Sequence, residues 1–186
     1  LRAAYAAGQR AFGENYLQDA LAKVEALTDL PDLEWHFIGR VQSNKTRAIA
    51  THFSWLHSLD RLEHARRLAQ QRPPQLAPLQ LCLQVNLSGE ASKGGVTPAA
   101  LPALAAAVAE LPRLRLRGLM TLPDPQADAS TLHATFRRLR ELGETLTASG
   151  LALDTLSMGM SADLEPAIAE GATWVRVGTA LFGPRE

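Results

Sequence analysis

Apolar residues in this chain recur in two periods that take turns. Leu17, Leu21, Val24 and Leu27 fall three or four apart and predict a helix over residues 14–27. Between such segments lie short apolar runs that read as strands: "RAF" (10–12), "EWHFIG" (34–39), "SWLHSL" (54–59), "LQLCLQVNL" (79–87, the longest), "LRLRGLMTL" (114–122), "LDTLSMG" (153–159) and "TWVRVG" (173–178). The remaining helices carry their own start and stop signals. One covers 44–51. One runs to residue 71, with Asp60 as N-cap and Pro73-Pro74 as its stop. Another runs to 111, with Thr97 as cap and Pro98 at its first position. Residues 130–149 form a helix that Gly150 ends. The last starts at Asp163, just after Ser161, tolerates Pro166 in its first turn and ends near Gly171. Residues 1–7 read as the tail of a helix, with Gly8 just past its end.

Strands that alternate with helices predict a parallel sheet. A doubly wound sheet and a (β/α)8 barrel both fit this order. The barrel is preferred for two reasons. No G-x-G-x-x-G follows an early strand, as a dinucleotide-binding sheet would require. Polar residues and glycines gather just after the strands, where barrels build their sites. A barrel needs eight strands, the pattern supplies seven, and the chain opens on a helix. The expectation is therefore a single α/β barrel domain over residues 1–186 that lacks its first strand.

Composition narrows the function. A hydrophobic content of 46% suits one sizeable core. Lys+Arg 19 against Asp+Glu 19 leaves no basic excess for a nucleic-acid backbone. The single cysteine, Cys82, excludes a disulfide framework and fits a reducing cytoplasm. No apolar stretch approaches the roughly 20 residues of a spanning helix, and no signal peptide is visible.

The chemistry gathers after the last two strands, in "SMGMSAD" and "VRVGTALFG". Barrels often hold a phosphate there on backbone N–H groups. Gly178 lets the backbone approach closely, Thr179 offers a hydroxyl and an N–H, and Ser161 adds a second hydroxyl. Singly, these residues read as a glycine turn and a helix cap; together they predict a phosphate site. Arg176 is either a solvent-facing strand residue or a charge aimed into that site.

The stretches "FGENYLQDA", "EWHFIGRVQSNK", "LRLRGLMTLP", "TLSMGMSADLEPAI" and "VRVGTALFG" carry a resemblance through nearly the whole chain, in order. The chain resembles the pyridoxal-phosphate homeostasis proteins, the YggS/PROSC family. The resemblance implies a barrel of the alanine racemase N-terminal-domain type (fold type III) that binds pyridoxal 5′-phosphate (PLP). It implies that Arg176 faces the pyridine nitrogen, that Ser161, Gly178 and Thr179 hold the phosphate, and that Asn15 lies near the cofactor. Met120 falls in the site by analogy, and equally suits the core. The implied role is a non-catalytic carrier or regulator in vitamin B6 balance. It would be cytoplasmic, monomeric or weakly dimeric, and have PLP-dependent apoenzymes as possible partners. Nucleic acid, membrane and metal have no part in it.

One departure is large. The family's Schiff-base lysine lies in a stretch like A-V-S-K-T-K-P on its first strand, and no such stretch is present. None of Lys23, Lys45 and Lys93 has that context, although Lys45 matches the family's Q-S-N-K. An N-terminally truncated sequence is the expectation, and no catalytic residue is assigned. The main alternative is a PLP-dependent amino-acid racemase. The early position of Tyr5 and Tyr16, and a chain that stops soon after "LFG", count against it. A sugar-phosphate isomerase or aldolase would need an acid–base pair such as Asp60 and Glu14, each of which has a helix-start explanation. His36 reads more readily as a packed strand residue than as a site residue. His52, His57 and His64 make no metal pattern. Cys82 reads as a small core residue, and the "SGEASKGG" loop with Lys93 as a flexible connection.

Overall fold

The computed structural model describes residues 1–89 and 94–183. Lys93 lies outside the described residues, with residues 90–92 of its loop. The elements run α1 (Arg2–Ala6), β1 (Ala11–Glu14), α2 (Leu17–Ala26), β2 (Glu34–Phe37), α3 (Thr46–His52), β3 (Trp55–Leu59), α4 (Leu62–Gln71) and β4 (Leu79–Gln84). They continue with α5 (Leu101–Ala109), β5 (Leu114–Met120), α6 (Ala129–Ala148), β6 (Thr155–Met160), α7 (Leu164–Ala169), β7 (Trp174–Arg176) and α8 (Thr179–Phe182). Every strand pairs in parallel with the next, in the order β1-β2-β3-β4-β5-β6-β7.

This sheet is curled almost shut. In a flat sheet β2 and β7 would lie about 24 Å apart, five steps of ~4.8 Å. Instead the rings of His36 on β2 and Trp174 on β7 are 4.8 Å apart. The expected barrel is therefore present as seven strands, with β1 and β7 at its two edges.

Alternation along the strands separates two cores. Phe37, Leu56, Leu81, Leu83, Leu119 and Met158 face outward and pack, with helix residues such as Ile49, Leu68 and Phe136, into one large apolar cluster. Their strand neighbours Trp55, Cys82 and Met120 form a second, smaller cluster on the concave side. The first cluster glues the helices to the barrel; the second fills part of its interior.

Several boundaries differ from the pattern-based expectation, each for a local reason. The second helix starts at Leu17, not residue 14. Glu14 ends β1, is buried, and takes the Lys23 ammonium at 2.6 Å. Asp60 does not cap α4, whose N-cap is Arg61 with no side-chain hydrogen bond; the Asp60 carboxylate accepts the Gly95 N–H at 3.3 Å. The run at 79–87 yields a strand of six residues, so β5, with seven, is the longest. Beyond Gln84 the chain turns to a parallel bridge between Val85 and Val96, and Val96 N–H donates to the Gln84 carbonyl. Thr97 closes a turn through the Ala100 N–H, and α5 begins only at Leu101, leaving Pro98 outside it. The α6 helix agrees within a residue, because Asp128 caps it through the Thr131 N–H at 2.7 Å.

Gly118 fixes how closely β5 and β6 approach. A Cβ there would stand 1.8 Å from the Thr155 carbonyl oxygen. That neighbour is backbone and cannot swing away. Gly118→Ala is therefore expected to destabilise the fold by about 3 kcal/mol, read as a thermal midpoint roughly 10 °C lower. An unchanged midpoint would contradict the packing described.

Candidate functional site at the barrel mouth

The barrel interior is polar as well as apolar. Inward positions on β2, β3, β6 and β7 bring His36, Trp55, His57, Ser157, Trp174 and Arg176 together. His36 stacks on Trp55 with ring centroids 5.4 Å apart and 6° between the planes. Trp174 covers the same histidine, and the two tryptophans lie 5.7 Å apart. On the outer side Arg117 sits over Trp55 at 5.1 Å, while Asp154 binds its guanidinium at 2.6 Å.

Above these rings runs an unbroken set of hydrogen bonds. His36 Nδ1 lies 2.8 Å from His57 Nε2. His57 Nδ1 lies 2.7 Å from Ser157 Oγ. Ser157 Oγ in turn accepts from an Arg176 terminal nitrogen at 2.7 Å, and the other terminal nitrogen donates to the Thr121 carbonyl at 3.1 Å. So the arginine in the last strand is not a solvent-facing edge residue. It turns inward and is anchored from two neighbouring strand ends.

Burial sets the electrostatics. Arg176 is half-buried by surface area, yet its guanidinium lies deep enough that burial pushes its pKa down to about 10, partly opposed by the Asp163 carboxylate. It therefore stays a cation at neutral pH. Burial lowers His36 to about 4. Burial also pushes His57 well below its ordinary value, and the charges of His36 and Arg176 add to the effect. Both rings are neutral at pH 7. The Cys82 thiol is raised by complete burial and is no nucleophile.

At the mouth, Ser161 Oγ accepts from the N–H groups of Gly178 and Ala180, each at 3.3 Å. Both amides are exposed, and a Cβ built on Gly178 would meet nothing within 4 Å. Open space thus faces two convergent N–H donors and two hydroxyls, Ser161 and Thr179. Asn15 stands at the end of β1, where its carbonyl is packed against Gly39; a Cβ at Gly39 would fall 1.9 Å from that oxygen. Neither the bonds of Arg176 to Ser157 and Thr121 nor those of Ser161 to Gly178 and Ala180 involve Asn15. Met120 is fully buried beside Trp55 and Cys82 inside the barrel, and the next residue, Thr121, anchors Arg176. A cleft of about 420 Å³ lies elsewhere on the mouth, over β2 and β3, lined by Arg40, Ser43, Arg61 and His64 among others.

The whole chain, residues 1–186, matches the family model described as alanine racemase, N-terminal domain. A pyridoxal phosphate homeostasis protein from Pseudomonas aeruginosa is 65% identical over 186 residues, covering 100% of this chain and 79% of the relative. The chain belongs to the pyridoxal phosphate homeostasis protein family. Its structure matches that of PipY from Synechococcus elongatus, solved without PLP, with a TM-score of 0.93 and 46% identity over 98% of this chain and 86% of PipY. A second PipY structure, with PLP bound, matches with a TM-score of 0.91. Alanine racemase from Corynebacterium glutamicum shares the fold, at a TM-score of 0.69 and 18% identity over 96% of this chain and 49% of that one.

Of the residues expected at a family site, the structure brings Ser161, Gly178, Thr179 and Arg176 together and leaves Asn15 at a separate strand end. The sequence reading missed Ser157 and Thr121, which hold Arg176, and undervalued His36 and His57. The available signal was strand parity. Trp55 and His57 share a face, as do Trp174 and Arg176, and those faces are inward.

The two neutral histidines make stability depend on pH. Their folded pKa values lie below the unfolded value near 6.5, so the unfolded chain takes up more protons as pH falls. Stability is lost from about pH 6.5 downward, and the His36 share is complete near pH 4. From pH 7 to pH 5 this costs about 2 kcal/mol for His36. Urea unfolding at the two pH values measures it. His36→Phe is expected to flatten the difference by that amount; an equal difference in the variant would refute the assignment.

Proposed function

We propose that this chain binds pyridoxal 5′-phosphate at the C-terminal ends of β6 and β7 and serves PLP homeostasis as a carrier or regulator, without catalytic turnover. The observation that carries the reading is the pairing of an inward, doubly anchored arginine with an open amide cradle two residues later. Arg176 commits one N–H to Ser157 and one to Thr121, which leaves further donors on the guanidinium. Gly178, Thr179, Ala180 and Ser161 present N–H and hydroxyl groups suited to a phosphate. When bound, PLP supplies an electrophilic aldehyde and an electron-withdrawing ring. Arg176 would donate a hydrogen bond to the pyridine nitrogen without protonating it at neutral pH, and its charge would oppose a pyridinium. A ring held this way withdraws electrons less than one held by a carboxylate. This supports retention of the cofactor rather than carbanion chemistry. The alternative racemase function needs a positioned base. Tyr5 is occupied by Asp32 and Arg10, away from the mouth.

Asn15 completes the proposed site from the β1 end. The unpaired outer edges of β1 and β7 support reading residues 1–186 as one barrel domain that lacks a strand between them. Cytoplasmic location, PLP-dependent apoenzymes as recipients, and a monomeric or weakly dimeric state belong to the same proposal. No helix among the described residues is long and apolar enough to cross a membrane.

Titration with PLP, followed by absorbance, tests the site. Arg176→Ala removes a charge-assisted hydrogen bond worth about 1.5–3 kcal/mol, so affinity is expected to fall roughly 10- to 100-fold. Equal affinity in the variant would overturn the assignment of Arg176. Lys23 is engaged by Glu14, and neither it nor Lys45, the N-cap of α3, lies in the first-strand context of the family's Schiff-base lysine. Borohydride reduction with peptide mapping should find no stoichiometric pyridoxyl adduct on Lys23, Lys45 or Lys93. Deuterium wash-in at the α-carbon of alanine should be very slow. Turnover near an enzyme median of about 10 per second would favour the racemase.

A further inference from the structure

The polar chain inside the barrel can run its protons in two directions, and the carboxylate at its far end favours one of them. Arginine can only donate, so Ser157 Oγ accepts from Arg176. Suppose first that the Ser157 hydroxyl donates to His57 Nδ1. Then the His57 proton lies on Nε2 and is given to His36 Nδ1, and the His36 proton lies on Nε2. That Nε2 is buried, has no hydrogen-bond partner, and lies 3.8 Å from a Glu34 carboxylate oxygen. Suppose instead that the protons run the other way. The Ser157 hydroxyl proton then has no acceptor, and a His36 lone pair faces the carboxylate. Each arrangement leaves one buried donor unmet, but the first points an N–H at the Glu34 carboxylate and the second a lone pair, so repulsion disfavours the second.

We propose that Ser157, His57 and His36 form a one-way relay that positions Arg176, with both imidazoles held as neutral Nε2–H tautomers between Arg176 at the mouth and Glu34 at the opposite end. Ser157 and His57 are positioning residues: they reach the ligand only through the guanidinium. This rests on the cofactor reading above only where PLP is concerned, since the relay itself is built from this chain's own atoms. The groups that face the histidines are Arg176 from β7, Ser157 from β6, and Glu34 on β2 itself. Arg117 from β5 lies behind Trp55, with Asp154 paired to it. Among the described residues, Arg176 is the cation that bears on His57. A positive charge on either ring would stand beside it without a carboxylate in hydrogen-bonding contact.

Long-range ¹H–¹⁵N correlation of the histidine rings, on the PLP-loaded protein at pH 7, reads the tautomers directly. The expected result is a proton on Nε2 and a bare Nδ1 for both His36 and His57. A proton on Nδ1 of either ring, or a doubly protonated ring, would overturn the relay. A second arm uses Ser157→Ala, which removes both the acceptor for Arg176 and the donor to His57. PLP affinity should drop about tenfold and the His57 signals should lose their single-tautomer pattern, with Ser157→Thr restoring both because the hydroxyl returns. Unchanged affinity and tautomer in a folded Ser157→Ala would also sink the proposal. If the alanine variant does not fold, the unmodified protein's tautomers still decide. Failure of the unmodified protein to bind PLP would remove the cofactor reading alone, because the ring protons are measurable without PLP.

Discussion

The site depends on a guanidinium held inside a barrel by neutral acceptors. Removing a cation from water costs several kcal/mol even after relaxation, and Arg176 shows this cost as a lowered pKa. Its anchors are a serine hydroxyl and a main-chain carbonyl. The Asp163 carboxylate acts on it through space but bonds to the Met160 N–H. Nothing in this arrangement neutralises the charge, so the mouth of the barrel keeps a net attraction for an anion. A carboxylate in place of Ser157 would satisfy the arginine better and leave less positive potential for a ligand.

That choice spreads inward. A hydroxyl accepting from arginine still has a proton to give, and a buried proton needs an acceptor. His57 supplies one and then His36, and the pair ends near a half-exposed carboxylate at the far end. The surrounding rings of Trp55 and Trp174 keep water out and so keep the imidazoles neutral. Polar and aromatic residues in the interior thus form one device, and the outward apolar cluster is free to do the packing. Close approaches at Gly118 and Gly39 let the strands and the β1 loop draw near enough for these contacts.

Much of the architecture was legible in the sequence. Each of the seven strands was visible as a short apolar run, because parallel strands buried on both faces are rich in Leu and Val. What the pattern could not give was the fate of polar residues at element boundaries. Glu14 and Asp60 both look like helix-start residues. Their actual partners, Lys23 and the Gly95 amide, are fixed by the three-dimensional path of the chain. Ser161, Gly178, Thr179 and Arg176 were legible as a cluster because they fall at adjacent strand exits. Ser157 was not, since it sits in mid-strand and contacts His57 a hundred residues away in sequence.

The same burial decides what the two histidines can do. A general base at neutral pH needs a pKa near 7 and a path to the reacting atom. His57 and His36 have neither. Their titration lies far below neutrality, and His57 and the His36 Nδ1 are engaged in the chain that leads to Arg176. Glu14 is paired with Lys23 and Asp60 with the Gly95 amide. The groups that remain at the mouth are donors: a guanidinium, two amides and two hydroxyls. A cluster of donors of this kind suits an anionic group such as a phosphate.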